Sequence, residues 1–201
     1  MGRGREPMRG PRPTLTEPSH RAITIMTRLF PPLTALALIL AATPAGAREY
    51  FVGGPVKQHD MEIVANYLIG VQMAPMPMTM GGMMEHGGSD VIHLEADVHA
   101  TADNPYGYAD GAWIPYLTIS YALKKVDSDW ITAGKLVPMT AKDGPHYANN
   151  LSMSGPGKYQ VTYTIEPPAP EVFGRHIDQE TGVPDWWKPV TVSFTFQYPQ
   201  K

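Results

Sequence analysis

The chain has 201 residues, a formal net charge of −3, 43% hydrophobic residues and no cysteine. Without thiols there can be no disulfide, no thiolate metal site and no lipid anchor of the lipoprotein type, so any soft metal ligand must be methionine. Residues 1–47 hold 6 of the 16 Lys+Arg and 2 of the 19 Asp+Glu, leaving 10 basic against 17 acidic residues beyond Ala47; that balance argues against nucleic acid and suits cation traffic.

Residues 1–25 are rich in Arg and Pro and read either as a disordered N-terminus or as an over-extended start with Met26 the true initiator. Residues 26–47 read as a signal peptide. Met26-Thr-Arg-Leu-Phe is a short cationic start, 33–42 an apolar core, and Ala45-Gly46-Ala47 a small-x-small cleavage site. The apolar run is too short to span a membrane comfortably. Cleavage after Ala47 leaves 48–201, a length that suits one domain in an extracytoplasmic compartment.

Beyond the leader the pattern is strands. The run 61–72 is apolar and β-prone. The segment 73–84 then places six methionines among Pro75, Pro77, Gly81 and Gly82, a composition that excludes a core helix. It reads either as a copper-contacting loop, since thioethers favour Cu(I), or as a plain or partner-docking loop.

The segment 91–100, VIHLEADVHA, is the most informative. In a strand its period of two puts His93, Glu95, Asp97 and His99 on one face and Ile92, Leu94, Ala96 and Val98 on the other. One face can pack on a core while the other offers two imidazoles and two carboxylates to a divalent cation. The strand rise separates His93 and Glu95 by about 6.6–6.8 Å, and His93 and His99 by about 20 Å. His93 and His99 therefore cannot share an ion, and Asp97 and His99 read as structural or as part of another contact.

Further strands are predicted at 112–126, 135–140, 159–166 and 190–198, with Gly/Pro clusters between them. Met139, His146 and His176 fall in segments that read as turns. Short strands with frequent turns, and no long amphipathic helix, predict an all-β, immunoglobulin-like antiparallel β-sandwich. Neither GxSxG nor HExxH occurs, so an enzyme is not expected.

The blocks HLEADVHA, WIPYLTISYAL, PM…DGPHYANN, YQVTYTIEPP and FGRHIDQETGVPDWWKP occur in order across most of 49–197. Together they resemble the bacterial periplasmic high-affinity iron transport protein family. The resemblance implies a homodimeric sandwich that binds copper and partners an inner-membrane iron permease. It implies the metal ligands His93, Glu95, Met139, His146 and His176, and iron as the transported ion, for which Mn can substitute. Three imidazoles and a thioether suit copper in both oxidation states, while Glu95 adds a hard ligand for a second cation. A periplasmic copper chaperone or metal buffer using the Met-rich loop is the alternative. Residues 76–86 are longer and richer in sulfur than the family pattern.

Overall fold

The structure, a computed structural model, describes residues 47–74 and 90–200. Apart from Ala47, the leader assignments lie outside these residues, as does most of the Met-rich segment. Eight strands follow in order: β1 (Arg48–Gln58), β2 (Met61–Ile69), β3 (Val91–Ala100), β4 (Thr118–Lys125), β5 (Ile131–Ala141), β6 (Gly144–Ser152), β7 (Gly157–Glu166) and β8 (Val190–Tyr198). They form one antiparallel sheet in the order β1-β2-β3-β6-β5-β4-β7-β8. There is no helix among the described residues, and none long and apolar enough to cross a membrane.

The all-β antiparallel class is the one predicted. The sheet curls because β5 changes partners halfway: 131–136 pair with β4 and 137–141 with β6. Its two end strands, β1 and β8, then pack against each other, so the sheet is a nearly closed barrel. The core lies inside. Ile92, Leu94, Ala96 and Val98 of β3 are fully buried there, facing Tyr159, Val161, Tyr163 and Ile165 of β7 and the alternate residues of β8. Each such large side chain contributes roughly 1.5–3 kcal/mol through burial.

The seam between β1 and β8 depends on Gly53. A Cβ there would run into the buried Phe194 ring, at 3.0 Å from its Cγ. Gly53→Val is therefore expected to destabilise the protein by about 1–3 kcal/mol, the usual scale of overpacking. A chemical denaturation midpoint equal to that of wild type would mean that the seam is not packed this way.

Several boundaries differ from the sequence reading, each for a local reason. The predicted strand at 61–72 stops at Ile69 because Gly70 turns the chain with φ 82°. The predicted strand at 112–126 begins only at Thr118. Trp113 makes a single bridge to His99, and Tyr116 takes a left-handed φ of 62° that breaks the extended run. His146 lies in strand β6, not in a turn, and Met139 lies in β5, which contains the short strand predicted at 135–140. β1 was not foreseen, since two register shifts around Gly53, Gly54 and Pro55 interrupt its alternation.

Candidate metal centre

The centre is built on the outer face of β3, β6 and β5. Directly opposed residues of antiparallel strands share a face. His93 opposes Asn150, Glu95 opposes Ala148, and His146 opposes Met139. The small Ala148 leaves room across from Glu95, and the longer flanking side chains lean in. His93 Nε2 lies 3.5 Å and His146 Nε2 3.3 Å from the same Glu95 Oε1. Donor atoms of His93, Glu95 and His146 all lie within 4.8 Å of one another, and the two imidazole planes are perpendicular. All three residues are buried. The strand rise alone sets His93 and Glu95 about 6.6–6.8 Å apart along the backbone. Side-chain length and lean bring their tips together instead.

Two members of the cluster, Glu95 and His146, line a cavity of about 260 Å³ together with Glu49, Asp97, His99, Asp143, Gly144 and Pro145. Four carboxylates and two imidazoles line it, and no Lys or Arg does. Burial pushes Glu95 up to about 8, reinforced by the charges of Asp97, Glu49 and Asp143. Burial also raises Asp97, which accepts a hydrogen bond from Asn66 at 3.2 Å. His93 is lowered, chiefly by burial. Two buried imidazoles and a buried carboxyl offer a cation three donor atoms, and neither Lys nor Arg lines the cavity beside them. The donor set of imidazole, carboxylate and adjacent thioether therefore fits copper. Behind the cluster, the Tyr163 hydroxyl donates to the Glu95 carbonyl at 2.8 Å, pinning β3 from inside the barrel.

The structure thus brings His93, Glu95 and His146 together and sets Met139 beside His146. His176 is not among them. It is exposed in the loop between β7 and β8, with Nδ1 2.7 Å from Thr181 Oγ1 and 3.6 Å from Asp178 Oδ2. Asp97 and His99, which the strand reading set aside, line the same cavity. Asp143 and Glu49 were missed. Asp143 lies three residues before His146 and was within reach of a sequence argument. Glu49 was not, because β1 itself was unseen.

An antiparallel β-protein with a buried His–Glu–His cluster opening into an acidic cavity is the class that fold and site define. The chain belongs to the Fe2+ transport protein family, whose model matches residues 46–199. It is 43% identical over 169 residues to a UPF0423 protein of Brucella abortus, covering 83% of this chain and 90% of that one. Among solved structures it is similar to FetP of uropathogenic Escherichia coli strain F11, recombinantly expressed in the periplasm. That match has 46% identity and a TM-score of 0.65, over 75% of this chain and 96% of FetP. A glutamate-to-glutamine variant of FetP is copper-bound. The chain is likewise similar to copper-reconstituted P19 of Campylobacter jejuni, with 40% identity and a TM-score of 0.66, over 76% of this chain and 97% of P19.

Proposed function

We propose that this protein is a periplasmic, copper-dependent accessory of high-affinity iron uptake that binds iron and hands it to an inner-membrane permease. The observation that carries the reading is the buried His93–Glu95–His146 cluster at the floor of a cavity with four carboxylates. His93, His146 and Met139 would hold copper, and Glu95, with Asp97, Asp143 and Glu49, would seat iron as the cargo. Copper, when bound, supplies a one-electron couple. The carboxylates draw a hard cation into the cavity, Glu95 gives up its proton as the cation binds, and the imidazoles orient toward the shared Glu95 oxygen. This is binding and transfer rather than turnover of a substrate, and cleavage of the leader at Ala47 would deliver the protein to the periplasm.

Homodimerisation belongs to the same proposal. His176 is exposed and not part of the cluster's donor set within one chain, which supports its donation to the site of a second copy. The immunoglobulin-like sandwich is supported by the partner change of β5, which joins one group of strands to the other.

The test is calorimetric titration of metal-free protein with Cu(II) and then Mn(II), on wild type and on Glu95→Ala. Tight copper binding to both proteins, with Mn(II) binding lost in the variant, is expected. Copper binding with no Mn(II) binding in either would remove the iron seat and favour copper handling through the Met-rich segment.

A further inference from the structure

Asn150 sits on β6 directly across from His93, and its amide oxygen lies 2.6 Å from His93 Nδ1 in a buried contact. An amide oxygen only accepts, so the neighbouring ring nitrogen must donate. That places the imidazole proton on Nδ1 and leaves Nε2 with its lone pair. Nε2 is the atom that faces Glu95 Oε1 at 3.5 Å. The Nε2 lone pair is thus offered toward the Glu95 carboxyl, where a cation that displaced the carboxyl proton would be shared by both groups.

We infer that Asn150 is a positioning residue: it holds His93 in the Nδ1–H tautomer and so makes Nε2 the atom offered to the metal. The inference rests on His93 being a metal ligand, as proposed above. The physical gain is preorganisation. The ring is held in one orientation, and the binding nitrogen has no proton to shed when the cation arrives. Choosing an amide also matters. A carboxylate at this position would fix the same tautomer, but it would add a further negative charge beside a cavity that already has four. Asn150 fixes the proton while leaving that charge balance untouched. The opposite amide orientation would make Nδ1 an acceptor and turn Nε2–H toward Glu95 as an ordinary hydrogen bond, and that is the outcome the test must separate.

The experiment is a long-range ¹H–¹⁵N correlation of the imidazoles in metal-free wild type at pH 8. Cu(II) titration and electron paramagnetic resonance then follow on wild type, Asn150→Leu and Asn150→Asp. Wild type is expected to show His93 protonated at Nδ1. Asn150→Leu, of similar size but without an acceptor, is expected to lose the single tautomer, to weaken Cu(II) binding by about 10–100-fold and to change the Cu(II) spectrum. Asn150→Asp, which keeps the acceptor, is expected to restore both tautomer and affinity. An Nε2–H tautomer in wild type would overturn the inference, and so would wild-type affinity in a folded Asn150→Leu. The wild-type spectrum decides the point even if that variant does not fold. Failure of wild type to bind copper would instead sink the proposed function, while the tautomer is still read on metal-free protein.

Discussion

Protein carrying His146→Ala is expected to bind Cu(II) more than tenfold more weakly than wild type, a loss of over ~1.4 kcal/mol. The reason is geometric. His146 Nε2 sits 3.3 Å from the Glu95 oxygen that His93 also approaches, and Met139 opposes His146 across the β5–β6 ladder. Removing the imidazole takes away one donor and opens the floor of the cavity to water, so the remaining donors lose both a partner and their dry setting. Isothermal titration with Cu(II) measures the effect. His59→Ala, at an exposed position in the turn between β1 and β2, is the control expected to behave as wild type. Equal copper affinity in His146→Ala and wild type would remove His146 from the site.

The second large effect is on the metal-free protein and comes from Glu95. Its folded-state value is raised from 4.5 to about 8, first by burial and then by Asp97, Glu49 and Asp143. A carboxyl raised in the folded state binds more protons there than in the unfolded chain. Its stabilisation is therefore complete below the unfolded value and is lost as pH rises through the folded one. His93 is lowered from 6.5 by burial, so its contribution runs the opposite way and is lost as pH falls below that value. Between pH 6.5 and about 8 the Glu95 slope stands alone of these two. Metal-free wild type is expected to lose stability there, by up to about 1.4 kcal/mol per pH unit from this group, and Glu95→Gln is expected to show a shallower slope. Urea denaturation at half-unit pH steps reads this directly. A flat wild-type profile would mean that Glu95 is ionised at neutral pH without a cation.

The same proton links stability to metal binding. A cation that takes the place of the Glu95 proton must release it, so affinity should climb with pH across that window.

The legibility of this protein in its sequence was uneven, and for physical reasons. The strands at 91–100, 159–166 and 190–198 were read with their boundaries nearly intact, because each has one buried and one polar face and the period of two survives. From the sequence β6 reads as a turn because Gly144-Pro145 opens it and Asn149-Asn150 lie near its end, residues with poor strand propensity. It is a strand because it lies between β3 and β5, where 146–151 are buried on both faces. Its asparagines are tolerated there because they have partners, the Lys135 carbonyl for Asn149 and His93 for Asn150.

By itself the sequence determined the all-β class and the common face of His93, Glu95, Asp97 and His99, since both follow from a local alternation that no distant contact alters. Only the tertiary structure decided that His146 meets Glu95 and that Asn150 meets His93. It alone brought Glu49 and Asp143 into one cavity with Glu95 and His146 and left His176 outside the cluster. Those facts depend on strand order and register, which are set by how the whole sheet closes on its core, and no spacing along the chain encodes them.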